Sequence, residues 1–459
     1  VKRIAGFLIL CCIVVSGGIP IGHAQTNELG LDDLYRIALE RSEKIKISEQ
    51  NYYLAEAGKS KKQSVLMPKL SAFASVTDFT EAKRAPDTVI TTKPLLTFPG
   101  TVIQPDIMGQ WGLRLDQAIT LNGKEIKDYK ISKDNLLKQE KDIFTQKEDY
   151  MMAVATYYYE VLRARKALEI ADAAVTRLML YRNAAEKRLK IGEVTKTVLL
   201  RADGELSGAL SDQIRAKNAL DLAWAVLART VGISEEFKLR EKMSADISLE
   251  SLEDYFRTAL SERTEMKSAE LDKKMAEDQI GVAKGGYWPI LSISGVYGRY
   301  DQDPVAITTN RESIYGMAAL NFPFFEGGLR VAEVKEASVK DKQAALKLED
   351  LKKSIRIEVE SAFVELKNQR GIIKSLEDQL VFAKDNYQAV SRQFEFGLAN
   401  SIDVMDANTL LVSAERQLAT AVYSHQVFQL RMKRATGLLL KDIMAVQQQT
   451  PVRSAVAKP

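Results

Sequence analysis

Apolar residues step by three and four along two stretches without a miss. Ile373, Leu376, Leu380, Ala383, Tyr387, Val390 and Phe394 form one run. Leu411, Ala414, Leu418, Ala421, His425, Phe428, Met432 and Ala435 form the other. That alternation is a heptad seam, so the spacing predicts helices that pack as coiled coils. Leu168, Ala171, Val175, Leu178, Arg182, Ala185 and Leu189 repeat it more loosely, and the alanines permit close helix approach. Proline costs ~3 kcal/mol inside a helix, and none occurs between Pro105 and Pro289 or between Pro323 and Pro451. A continuous helix from Gly123 to Leu189 would run about 100 Å at 1.5 Å per residue, longer than any globular core requires. Gly192 and Gly397 then mark helix ends where a turn begins.

Short alternating segments lie between these stretches. Leu70, Ala72, Ala74 and Val76 alternate with Ser71, Phe73, Ser75 and Thr77, and Trp111, Leu113 and Leu115 with Gly112, Arg114 and Asp116. Residues 291–300 and 315–324 supply two more. Each has the length of a tilted membrane-spanning strand. Four strands cannot close a barrel, and an open sheet edge is not tolerated in lipid. Strands that span a membrane here would therefore require several chains to share one barrel. The prolines from Pro68 to Pro105 predict extended and looped chain between the first two segments.

The chain also repeats itself. Leu31-Asp32-Asp33-Leu34-Tyr35-Arg36-Ile37-Ala38-Leu39 matches Leu252-Glu253-Asp254-Tyr255-Phe256-Arg257-Thr258-Ala259-Leu260, and the same shift carries Met67-Pro68-Lys69-Leu70-Ser71 onto Trp288-Pro289-Ile290-Leu291-Ser292. Gly123, Gly192 and Gly232 find counterparts in Gly327, Gly397 and Gly437. The expectation is an internally duplicated unit: a first repeat over 25–232, an equatorial linker over 233–251, a second repeat over 252–437 and a C-terminal tail over 438–459.

Composition narrows the function. With 65 basic and 61 acidic residues among 459, a net charge of +4 is nearly balanced, without the surplus of a nucleic-acid binder. Residues 1–24 read as a signal peptide: Lys2 and Arg3 precede an apolar run too short to span a bilayer, and Gly22-His23-Ala24 is a plausible cleavage site. The mature chain would begin near Gln25 and lose Cys11 and Cys12, leaving no disulfide, thiolate metal site or cysteine for lipidation. His425, the one mature histidine, lies on a seam and reads as a packed core residue. Tyr157-Tyr158-Tyr159 reads as helix packing, and the glycines from Gly281 to Gly286 lack phosphate-loop spacing. No catalytic set, metal site or cofactor site emerges, so an enzyme is not expected.

These features resemble the TolC family of outer-membrane efflux proteins from about Leu31 to Gly437. The most specific piece is Phe396-Gly397-Leu398-Ala399-Asn400-Ser401-Ile402-Asp403-Val404-Met405-Asp406-Ala407, similar to the family's tip signature. The resemblance implies a mainly α chain with membrane β-strands, assembled as a homotrimeric channel-tunnel. Three chains would share a twelve-stranded β-barrel in the outer membrane and a long coiled-coil α-barrel crossing the periplasm. It implies a passive exit duct of an efflux or type I secretion system, in contact with outer-membrane lipid and fed by an inner-membrane pump through a periplasmic adaptor. Residues from about Glu81 to Gln110 would lie outside the cell. Gly192, Glu193, Val194 and Thr195, with Gly397, Leu398, Ala399 and Asn400, match the adaptor-facing tip turns. Asp403 and Asp406 match acidic rings at the closed entrance, where clustered carboxylates favour cations; the bland reading is a charged helix start. In the first half these places hold Val198 and Arg201. The polar latch of some relatives is missing, with Phe394, Ala399 and Val198 in its positions. The rival reading is a periplasmic coiled-coil scaffold without a pore, which explains the heptads but not the strand-like segments.

Overall fold

The computed structural model describes residues 28–91, 96–98, 100–234, 237–243, 246, 250–306 and 310–449. The signal peptide expected over residues 1–24, with both cysteines, lies outside the described residues, as do residues 450–459 of the expected tail.

Helices α1 (Leu31–Arg41) and α2 (Glu43–Ser64) are split at Ser42, whose hydroxyl caps α2 by accepting from the Ile45 N–H. They lead into strands β1 (Lys69–Asp78) and β2 (Ile107–Thr120), then α3 (Lys124–Lys190) and α4 (Lys196–Val231). The second half follows the same order: α5 (Leu252–Glu262), α6 (Thr264–Lys284), β3 (Ile290–Asp303), β4 (Glu312–Asn321), α7 (Leu329–Glu395) and α8 (Ser401–Ala435). The two longest helices, α3 and α7, each run 67 residues, about 100 Å at 1.5 Å per residue. Strand β4 stops at Asn321, short of the expected 315–324 segment, because Pro323 has no N–H to give the ladder. The stretch expected as a tail opens with a further helix, α9 (Leu439–Gln449).

Apolar packing gathers at mid-length. Leu34 and Ala38 of α1 meet Met151, Tyr158 and Leu162 of α3, Leu227 and Val231 of α4, and Leu439, Leu440 and Ile443 of α9. The tyrosine run is helix packing there, with Tyr158 and Tyr159 buried. The Tyr158 hydroxyl donates to the Arg240 carbonyl, tying the stretch between α4 and α5 to α3. On the seams, Ala171, Val175, Leu178, Ala185, Ala383, Phe394, Leu411, Ala414 and Met432 are buried as the spacing predicts. His425 is buried too, with Nε2 2.6 Å from an Asp246 carboxylate oxygen.

Helix α3 changes partners along its length. Its first half lies between α2 and α6, its second between α4 and α8. The upper α3–α6 contact is a polar ladder rather than an alanine seam. Lys130 meets Asp278, Asp134 meets Lys274, Lys138 meets Asp272, the Ser268 hydroxyl donates to Asp142, and Thr145 bonds Thr264. Exposed ion pairs each contribute about 0–1 kcal/mol, so the ladder fixes register more than it drives association. Below it is an ionic hub centred on two buried arginines. Arg434 pairs with Asp149 and Glu265, and Arg263 with Glu265 and Glu358. Burial alone would raise the Glu265 carboxyl, but hydrogen bonds and charge from Arg263 and Arg434 hold it at about 2. Burial wins at Glu148 and pushes its carboxyl up despite Arg434 nearby.

The strands form one antiparallel sheet in the order β4-β3-β2-β1. Among the described residues, β1 and β4 have no partner on their outer edges. No described helix is long and apolar enough to cross a membrane.

Candidate functional site

Strand register sorts the sheet into two faces. Leu70, Ala72 and Ala74 of β1 oppose Leu115, Leu113 and Trp111 of β2. Leu113 opposes Tyr297 and Gln117 opposes Ile293 on β3; Tyr297 opposes Ile314 and Ile293 opposes Ala318 on β4. Paired residues share a face, so this face is a continuous apolar band, exposed at Leu70, Leu113, Ile293 and Ile314. The other face carries Ser71, Arg114, Asp116, Ser292 and Ser294 beside Phe73, Val296, Tyr315 and Met317, and is the more polar of the two. At about 3.3 Å per residue the band from Leu291 to Tyr297 is about 20 Å tall. It ends at Arg299, opposite Glu312. Near that end Trp111 packs edge-on to Tyr297. At the other end, where strands pass into helices, Tyr287, Trp288, Phe322, Phe324 and Phe325 are exposed. Apolar band, aromatic margins and polar reverse face form the pattern of a strand layer with lipid on one side and water on the other.

About 100 Å of helix away lie the two helical tips. Gly192 (φ 80°) and Gly397 (φ 74°) take the left-handed conformation that lets α3 and α7 stop and turn back. The Gly192 N–H donates to the Leu189 carbonyl and the Glu193 N–H to that of Arg188. Likewise the N–H groups of Leu398 and Ala399 both donate to the Gln393 carbonyl. Thr195 and Asn400 are the N-caps of α4 and α8. Val194 and Ala399 are half-buried, whereas Gly192, Glu193, Thr195, Gly397, Leu398 and Asn400 are exposed. All eight expected tip residues thus fall in the two turns. Ile191, Phe396 and Leu398 stand 69%, 79% and 80% exposed there, an apolar crown that no contact within the chain requires.

Asp403 and Asp406 are exposed on one face of α8. Asp403 also has the structural job of a charged helix start. Its carboxylate accepts from the Asn400 N–H at 3.0 Å, while the Asn400 side chain accepts from the N–H groups of Ile402 and Asp403. This capping box fixes Asp403 beside the turn and leaves Asp406 one helical turn further in.

Behind the turns the two hairpins are joined by the seam residue Phe394 and by arginines the heptad pattern did not reveal. Phe394 is buried against Leu178 and Tyr181 of α3, Ala202 of α4 and Val404 and Met405 of α8; its ring lies 4.9 Å from that of Tyr181. Arg188 of α3 reaches across: Nη1 donates to the Phe394 carbonyl at 2.8 Å and Nε to Glu193 at 2.9 Å, with the guanidinium over the Phe394 ring. Higher up, Arg177 of α3 donates to Asn408 at 3.1 Å and to Glu415 at 3.3 Å, both on α8. These contacts join α3 to the second hairpin behind the tip. Among the described residues no group of His, Cys, Asp and Glu side chains could hold a metal ion.

Comparison with known proteins agrees with this layout. The family described as outer membrane efflux protein matches residues 34–233 and 256–438. The chain is 26% identical over 305 residues to outer membrane protein TolC of Vibrio cholerae, covering 64% of this chain and 69% of that one. It is 21% identical over 296 residues to cation efflux system protein CusC of Escherichia coli, covering 62% of this chain and 63% of CusC. Among solved structures, outer membrane protein VceC of Vibrio cholerae superposes with a TM-score of 0.76 at 17% identity, covering 89% of this chain and 96% of VceC.

Proposed function

The chain belongs to the outer membrane efflux protein family, and from that premise we propose that three copies form one exit duct. The duct would cross the outer membrane and extend into the periplasm. The observation that carries this reading is the four-stranded sheet with an apolar face and two unpaired edges. An open edge in lipid leaves backbone groups unsatisfied, so a neighbour's β4 must pair with β1, and so on around a ring. The helices carry matching seams. Helices α2 and α4 pack on α3 and keep Ile47, Leu54, Leu210 and Ile214 exposed; α7 packs on α6 and α8 and keeps Val339, Leu346, Ile357 and Val364 exposed. Head-to-tail pairing of such edges closes a ring when the rotation allows it. The family resemblance sets the count at three, giving twelve strands. A pore-free scaffold has no use for a sheet with this apolar face.

In this reading the polar sheet face lines the lumen, and residues 25–232 and 252–437 are two copies of one ancestral unit joined by the linker over 233–251. The crown of the tip turns receives a periplasmic adaptor, which couples the duct to an inner-membrane pump. CusC is by its name a cation efflux protein, and AprF of Pseudomonas aeruginosa an alkaline protease secretion protein; the same passive role serves either chemistry. Asp403 and Asp406, each present three times, concentrate carboxylates at the entrance and draw cations to it. Planar-bilayer conductance with and without a trivalent cation tests this. Wild type should be cation-selective and blocked, and Asp403→Asn with Asp406→Asn should lose both properties. Equal block in the two proteins would mean that these aspartates do not line the pore.

A further inference from the structure

Over the four strands, the charged side chains on the more polar face of the sheet are Lys69 of β1 and Arg114 and Asp116 of β2. Lys69 lies directly opposite Asp116, and the row continues through Ser294 of β3 to Met317 of β4. That row falls between Ile293 and Gly295, level with the apolar band on the other side. Charge at that depth is tolerated only where it faces water. On the apolar face, charge is confined to the margin from Arg299 to the strand ends.

Asp116 already serves Arg114, whose Nε donates to it at 3.1 Å. Among the described residues no carboxylate pairs with Lys69, and Lys69 is exposed. Two cations thus share one carboxylate, and each chain keeps one positive charge uncompensated. A neighbouring chain cannot cancel it. Lys69 is on the edge strand that would meet a neighbour's β4, and the same face of β4 carries Ser313, Tyr315, Met317, Ala319 and Asn321. None of these is acidic, so the result holds in every register.

We infer that three Lys69 side chains form a basic collar in the duct, and that the collar makes the strand-lined lumen favour anions over cations. This rests on the reading of the chain as a trimeric duct. Lys69 opens β1, just beyond the end of α2 at Ser64, so the collar sits where the lumen passes from helices to strands. Rings of lysine select for anions, and walls of low dielectric focus their field across the water between them. The collar opposes the entrance: aspartates at the tip draw cations in, and the lysines hinder their exit. Cargo bearing carboxylate or phosphate groups gains at this level over a cation of the same size.

The measurement is the reversal potential of channels in a planar bilayer under a potassium chloride gradient. The strand side holds about 0.01 M salt, where charges act over about 30 Å. Lys69→Gln should shift the potential toward potassium. Asp116→Asn, which frees a second cation per chain, should shift it toward chloride. Both shifts should vanish in gradients above about 1 M, where the range falls to about 3 Å. The sequence has no cysteine beyond Cys12, so a mature chain carrying Lys69→Cys is labelled at that site alone. A trimethylammonium thiol reagent applied from the strand side should restore the wild-type potential. A sulfonate reagent of similar size should drive it further toward potassium. An unchanged potential in Lys69→Gln, the same potential after either reagent, or a shift of Asp116→Asn toward potassium would each overturn the collar while leaving the duct intact. Wild-type protein that inserts but passes no current would instead overturn the duct.

Discussion

Replacing Arg177 and Arg188 together by alanine should drive the periplasmic entrance toward its open state. These two side chains carry three hydrogen bonds from α3 to the second hairpin near the tip: Arg177 to Asn408 and Glu415, Arg188 to the Phe394 carbonyl. Hydrogen bonds to a charged group contribute about 1.5–3 kcal/mol each when well shielded. Both side chains are only 19% exposed, and allowing for that residual screening about 2 kcal/mol for the pair is a fair figure. A shift of that size changes the ratio of closed to open entrances about 30-fold. Single-channel recordings of the double variant should show longer and larger openings than wild type, with the trimer still assembled. Arg188→Lys should fall between them, since an ammonium keeps the charge but not the fork that serves the Phe394 carbonyl and Glu193 at once. Unchanged open probability in the double variant would mean that these contacts hold the hairpins together without closing the entrance.

Leu398→Glu should abolish export while leaving membrane insertion intact. Leu398 follows the left-handed Gly397, is 80% exposed and packs on nothing in its own chain. Covering such a side chain on docking contributes about 1.5–3 kcal/mol, and a carboxylate in its place must be desolvated instead. A loss of at least tenfold in adaptor affinity follows from removing ~1.5 kcal/mol at each of three tips. Export from cells and cross-linking between tip and adaptor should fail together, and the amount of protein in the outer membrane should not change. Normal export and cross-linking would remove this turn from the docking surface.

Much of the fold is legible in the chain because its signals are local. Heptad spacing placed the seams, missing prolines permitted the long helices, and glycines before and after them marked where each begins and turns. The capping role of Asp403 is local as well, three residues from Asn400. The cross-hairpin contacts are not. Arg177 and Asn408 are 231 residues apart and Arg188 and Phe394 are 206 apart; nothing in the neighbourhood of either arginine separates it from the many exposed arginines on these helices. The α3–α6 ladder was hidden for the same reason, since Lys130 and Asp278 each read as a solvated helix face. Helix α9 is not legible in the sequence because its buried residues Leu439, Leu440 and Ile443 cover too short a span to show a period.

The assembly itself is tested most directly by mass. Full-length protein extracted from outer membranes in mild detergent, analysed by native mass spectrometry, should appear as three copies and resist dissociation until the strands unfold. A folded monomer that stays inserted in the membrane, or protein released in soluble form without detergent, would contradict the shared barrel.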